Sequence, residues 1–374
     1  MKYVDEFRNA DLIKRTAAEI HRLAEACASK AGRPCRIMEI CGGHTHSIFR
    51  FGLHQLLPDS IELVHGPGCP VCVLPSARVD EGLEIAQHND LIFTAFGDMM
   101  RVPGSHGSPL EAKAMGADVR MVYSPLDALK LARDNPDRRV MFFAIGFETT
   151  TPSTAFTLLK AQDQGVTNFL VHCNHILVPP PLRAILGDPD MTLDAFIGPG
   201  HVSTVIGCEP YRFIAEEFGK PVVVSGFEPT DLMQSIAMIL RQFAEDRCEV
   251  ENQYARALPW DGNKAAQRAM EEVFDLRDAF EWRGMGFIPG SGLRIRDEFA
   301  AWDAEAVCAT PDVVTVPSDP RAQCGDVLKG ALKPRACELF GKECTPETPV
   351  GALMVSSEGA CAAQHKYAHV MISA

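Results

Sequence analysis

Seven of the thirteen cysteines in this chain fall into three groups that suggest chemistry rather than packing. Cys41 opens the run Cys41-Gly42-Gly43-His44-Thr45-His46. Cys69 and Cys72 sit in Gly66-Pro67-Gly68-Cys69-Pro70-Val71-Cys72, and Cys324, Cys337, Cys344 and Cys361 lie near the C-terminus with 12, 6 and 16 residues between them. Thiolates are the soft ligands that select iron–sulfur clusters, zinc and low-spin iron, and a close cysteine pair also stores two electrons as a disulfide.

Each group has a functional and a plain reading. Paired glycines after Cys41 let backbone approach a bound group, and a thiolate beside the imidazoles of His44 and His46 could hold a transition metal or have its pKa lowered. The plain reading is a strand-end cysteine with two loop histidines. The C-x-x-C, stiffened by proline and glycine, permits a disulfide; it is also half of a zinc site, but no second C-x-x-C completes one, so redox or transient metal handling is preferred. The quartet has the ligand count of a 4Fe-4S cluster at spacings wider than common ferredoxins, with structural zinc as the competitor. The other six cysteines, Cys27, Cys35, Cys173, Cys208, Cys248 and Cys308, are expected in the core, since free cysteine is among the most buried residue types.

The elements that must position these groups read as α/β. An amphipathic helix is expected over Asp11 to Ala28, followed by apolar strands over Arg36 to Ile40, Ile61 to His65, Leu91 to Ala95 and Val119 to Tyr123. A second set follows over Val140 to Ile145, Phe169 to Val171, Ala195 to Ile197 and Val222 to Val224. The simplest account is two similar parallel-sheet α/β units in tandem, over 36–130 and 131–235, plus a helical and loop-rich third domain from 1–35 and 236–374 that carries the quartet. A helix is expected over Asp231 to Glu245 and no strand rhythm after it. Cys41 and Cys69 then follow strand carboxyl ends, where open α/β sheets bind ligands. Glu148 and His201 end strands of the second unit, where they could face Cys41 across a cleft.

Composition narrows the setting. The chain has 374 residues and a formal charge of -13, from 49 acidic and 36 basic side chains. Such a balance offers phosphate backbones and anionic lipid no attraction, so neither nucleic-acid nor membrane binding is expected. The N-terminus lacks a signal-type apolar run, and no stretch is long enough to span a bilayer. A cytoplasmic location is expected, where thirteen cysteines argue for metal or redox work rather than a disulfide framework.

Together the motifs resemble the HypD family of nickel–iron hydrogenase maturation factors, over essentially the whole chain. The likeness rests on C-G-G-H-T-H at Cys41 to His46, G-P-G-C-P-V-C at Gly66 to Cys72, G-F-E-T-T at Gly146 to Thr150, P-G-H-V-S at Pro199 to Ser203, G-F-E-P at Gly226 to Pro229, and the quartet. It implies a scaffold on which iron acquires two cyanides and one carbon monoxide before delivery to the hydrogenase large subunit. By the same likeness Cys41 would hold the iron with a cysteine of the small chaperone HypC, while Cys69 and Cys72 would form a redox pair. Cys324, Cys337, Cys344 and Cys361 would ligate a 4Fe-4S cluster, and HypE would donate cyanide from a thiocyanate-bearing tail. His44 and Glu148 complete the candidate catalytic set. The rivals are an iron–sulfur thiol–disulfide oxidoreductase, in which Cys41 is incidental, and a structural zinc protein that docks partners.

Overall fold

A computed structural model describes residues 5–88, 90–308 and 319–367. Residues 1–4, part of the N-terminal reading, and parts of the third-domain range 236–374 lie outside them. Among the described residues the first nine strands run in chain order as β1 (Cys35–Glu39), β2 (Ile61–His65), β3 (Ile92–Ala95), β4 (Val119–Met121), β5 (Val140–Gly146), β6 (Phe169–His175), β7 (Ala195–Pro199), β8 (Val222–Ser225) and β9 (Val250–Asn252). They form two parallel sheets, ordered β2-β1-β7-β8-β9 and β4-β3-β5-β6, so the α/β class with two parallel-sheet units holds.

The strands are not dealt to the sheets in chain order. β1 and β2 pair with β7 and β8, whereas β3 and β4 pair with β5 and β6. The chain accordingly forms two compact units, one from Met1–Cys69, Pro181–Asn263 and Gln323–Ala374, the other from Pro70–Pro180 and Lys264–Ala322. Apolar runs announce buried strands but not their partners, because a parallel connection can return to either side of a sheet.

In the first unit, helix Ala10–Ala31 lays Ala17, Ile20, Leu23, Ala24 and Cys27 against Leu232, Met233, Ile236 and Leu240 of helix Pro229–Ala244. The same core holds Cys35 and Ile37 of β1 and Ile197 of β7. Each fully buried aliphatic side chain contributes roughly 1.5–3 kcal/mol of transfer free energy, and this packing fixes β1, whose end carries Cys41. In the second unit every residue of β5 and β6 is buried, as a sheet covered on both faces requires. Cys173 belongs to that core, and its thiol donates to the Leu293 carbonyl at 3.3 Å.

Two expectations need correction. Strands continue beyond residue 245: besides β9 there are β10 (Phe274–Leu276) paired antiparallel with β13 (Leu293–Ile295), and β11 (Ala279–Trp282) paired antiparallel with β12 (Gly286–Pro289). At three or four residues each they are too short to display a period. Cys248 is exposed, while the other five cysteines expected in the core are buried. Among the described residues no helix is long and apolar enough to cross a membrane.

Candidate metal centre

β1 stops at Glu39, and two residues later Cys41, with extended φ -145° and ψ 124°, is the N-cap of helix Gly42–Arg50. The second signature loop passes directly over this turn. Gly42 N–H donates to the Gly68 carbonyl at 3.0 Å. A Cβ on Gly68 would lie 2.5 Å from both Cα and N of Cys41, so only glycine lets the loop approach this closely. Gly42 is held as tightly on its other side, where a Cβ would meet Cβ of Glu358 at 2.4 Å. Cys41 thus lies where three segments distant in sequence converge.

Beneath it lies Glu39, fully buried at 0 % exposure. Its carboxylate accepts the Cys41 N–H at 3.0 Å, the Thr45 hydroxyl, and the His65 Nδ1–H at 2.7 Å. One acid therefore ties the motif helix to the ends of β1 and β2. Sequence reading passed over Glu39, although an acid in the otherwise apolar run Ile37-Met38-Glu39-Ile40 was the available signal.

The imidazoles do not act on Cys41 as expected. His44 is buried, stacks on Phe227 at 4.6 Å between ring centroids, and donates from Nε2 to the Ser225 carbonyl at 3.3 Å. Burial pulls its pKa down to about 4, against the opposing influence of Glu39, so the ring is neutral near pH 7. Its Nδ1 has no hydrogen-bond partner among the described residues. His46 instead joins the C-terminal segment, with Nδ1 3.3 Å from the Ser357 carbonyl and Nε2 3.1 Å from the Tyr367 hydroxyl.

Without an imidazolium beside it, Cys41 is a thiol. Desolvation, followed by the charges of Glu358 and Glu39, pushes its pKa up to about 12, while the amides of Gly43 and His44 pull less strongly the other way. This corrects the expected lowering. A thiol between carboxylates favours a bound cation, and taking one up must release the thiol proton.

His201 also lies elsewhere than expected. β1 pairs with β7, so the loop after β7 emerges beside the loop after β1, within one unit. His201 stacks on the same Phe227 ring at 3.7 Å, which leaves that ring in contact with both His44 and His201. A Cβ on Gly43 would lie 2.9 Å from Phe227 and 3.6 Å from the Cys41 sulfur, so this aromatic stack borders the thiol. Glu148 belongs to the second unit, where both carboxylate oxygens accept the Val178 N–H, at 3.0 and 3.2 Å. Burial raises it to about 7.

Cys69 and Cys72 are joined as a disulfide, and both are almost fully buried. The quartet lies in the same unit as Cys41, and helix Ala360–Lys366, which carries Cys361, packs on helix Gly42–Arg50. Burial and then the neighbouring Cys324, Cys344 and Cys337 push the Cys361 thiol well up, so three of the quartet lie close enough to act on the fourth. Gly351 lies between two of them: its N–H donates to Cys344 Sγ at 3.3 Å, and a Cβ there would meet Cys324 Sγ at 2.5 Å. Four neighbouring cysteines with an N–H directed at one sulfur fit an all-thiolate cluster, and their ligand type also suits zinc. Among the described residues, no three His, Cys, Asp or Glu side chains are gathered as the ligands of a single metal ion.

Fold and site together define an α/β protein whose cysteine-bearing signature loops meet at strand carboxyl ends. Comparison with known proteins narrows the class. The family model HypD, described as the hydrogenase formation hypA family, matches residues 11–368. Hydrogenase maturation factor HypD of Rhodobacter capsulatus is 59% identical over 370 residues, covering 98% of both chains, and that of Escherichia coli K12 is 53% identical over 367 residues with the same coverage. HypD of Cupriavidus necator is 50% identical over 377 residues, covering 98% of this chain and 97% of its own. This chain belongs to the HypD family.

Proposed function

We propose that the chain acts in hydrogenase maturation as the cytoplasmic scaffold and redox factor on which the Fe(CN)2CO group of nickel–iron hydrogenases is assembled. The observation that carries this reading is the convergence of both signature loops, Glu39 and Glu358 on a single protonated thiol, Cys41. One sulfur leaves most of an iron's coordination to other donors. Two cyanides, one carbon monoxide and a cysteine of the partner HypC would supply them, and strong-field ligands of this kind suit a soft thiolate. Glu39 fixes the Cys41 backbone through its amide. His44, neutral and buried, keeps a second positive charge away from the cargo iron while offering an unprotonated ring nitrogen at the site's border.

Cyanide release from the thiocyanate of HypE consumes two electrons. With Cys69 and Cys72 as the reductant, RSCN and two protein thiols give RSH, CN⁻, one proton and the Cys69–Cys72 disulfide, which balances atoms and charge. A 4Fe-4S cluster held by Cys324, Cys337, Cys344 and Cys361 would supply single electrons when bound. The finished group then passes, with HypC, toward the hydrogenase large subunit.

The Cys69–Cys72 disulfide favours a second reading, a thiol–disulfide oxidoreductase in which Cys41 carries nothing. Infrared spectroscopy of protein purified without air, together with its small chaperone, separates the two. Bands of metal-bound cyanide and carbon monoxide are expected; their absence from fully iron-loaded protein would leave the oxidoreductase.

A further inference from the structure

Within the second unit the turn after β11 reaches helix Pro70–Val73, which carries Cys72 and which Cys69 immediately precedes in the chain. Helix Pro70–Val73 is a single turn, and Pro75, two residues beyond it, has no N–H to contribute. The carbonyls at the end of that turn therefore need donors from elsewhere. Arg283 provides them. Its backbone N–H donates to the Val73 carbonyl at 2.7 Å and its Nε–H to the Leu74 carbonyl at 2.7 Å, while Nη2 donates to the Pro103 carbonyl at 2.9 Å. One residue thus gathers three main-chain acceptors from two separate segments.

The hairpin that presents Arg283 is itself well anchored. Trp282, at the end of β11, is 1% exposed, donates from Nε1 to the Ser291 hydroxyl at 2.9 Å, and stacks against Phe147 with ring centroids 6.0 Å apart. Ser291 Oγ in turn donates to the Ile288 carbonyl at 2.8 Å. A planar fork on a fixed stem suits holding two carbonyls at a set spacing better than a flexible lysine does.

We propose that Arg283 is the positioning residue of the Cys69/Cys72 couple, an inference that rests on the redox reading above. By capping the helix that carries Cys72 and tying it to Pro103, Arg283 holds the Cys72 thiol within reach of Cys69 in the reduced state. The exchange is Cys69–SH and Cys72–SH with oxidised glutathione giving the protein disulfide and two glutathione thiols. One S–S bond forms as another breaks, and both protons pass to glutathione. A held pair closes with a high effective concentration, and a loosened pair does not.

The test uses the full chain with Arg283→Gln, equilibrated without air in glutathione buffers of graded ratio. The oxidised fraction of the peptide containing both cysteines is read by differential alkylation and mass spectrometry. The equilibrium constant for disulfide formation is expected to fall about tenfold, equivalent to about 30 mV for this two-electron couple. Arg283→Lys, which keeps a donor for one carbonyl, should fall between, and it carries the test if the glutamine variant fails to fold. Trp282→Phe is the control for a weakened hairpin that retains the Arg283 contacts, and it should leave the constant unchanged. If the Arg283 variants shift no further than Trp282→Phe, the residue is merely structural and the inference is overturned. If the unaltered protein shows no reversible exchange at all, the redox reading itself fails and takes the inference with it.

Discussion

Gly68→Ala offers a quantitative probe of how the two signature loops meet. The added Cβ would sit 2.5 Å from Cα and N of Cys41 and 2.6 Å from the Ile40 carbonyl carbon, all of them backbone atoms that cannot rotate away. Ordinary contacts of this kind need about 3.5–4 Å, so the loop must retreat by roughly 1 Å. Overpacking of this kind costs about 1–3 kcal/mol, and here it also separates the Gly68 carbonyl from the Gly42 N–H. Urea unfolding measures the first effect, and iron content after anaerobic purification measures the second. Gly219→Ala separates the two: its φ of +62° strains an alanine, but nothing lies within 4 Å, so about 1 kcal/mol should be lost with iron content unchanged. Gly68→Ala with unaltered stability and full iron content would refute the close approach.

Further outcomes follow from the same structure. Glu148 has its pKa raised from 4.5 to about 7 by burial. Between those values the unfolded chain ionises while the native carboxyl keeps its proton, so native stability falls as pH rises through that window, by about 3 kcal/mol in all. Glu148→Gln should flatten this decline in urea midpoints measured from pH 4.5 to 8, and an unchanged slope would argue against a buried, protonated acid. Gly351→Ala, which places a methyl 2.5 Å from Cys324 Sγ, should reduce absorbance of the proposed 4Fe-4S cluster in anaerobic protein by more than half; full absorbance would contradict the packing between Cys324 and Cys344. Ile20→Ala empties a fully buried position between two helices and should cost about 2–5 kcal/mol in chemical denaturation.

How much of this was legible beforehand depended on the range of the interaction. β5 was read nearly residue for residue, because a strand buried on both faces writes an unbroken apolar run into the chain; β2, a partly buried edge strand, was read at its printed bounds all the same. Helix Ala10–Ala31 announced itself by its 3.6-residue period. Which strands pair left no local trace, so His201 was expected across a cleft from Cys41 although β7 lies beside β1. The same limit hid Phe227 and Glu358, which reach Cys41 from far along the chain. The imidazoles of the C-G-G-H-T-H run misled for a related reason: spacing placed them near the sulfur, but the Ser225 carbonyl, Phe227 and the C-terminal segment decide where the rings point.

The proposed function turns on one sulfur, Cys41, gripping the diatomic-bearing iron. Its most direct test is the infrared spectrum of anaerobic protein produced with ¹³C-labelled cyanide precursor, compared between the unaltered chain and Cys41→Ser. Cyanide bands should move on labelling in the unaltered chain and vanish in the serine variant, while absorbance from the proposed C-terminal cluster persists. Labelled cyanide bands of full intensity in Cys41→Ser would contradict it.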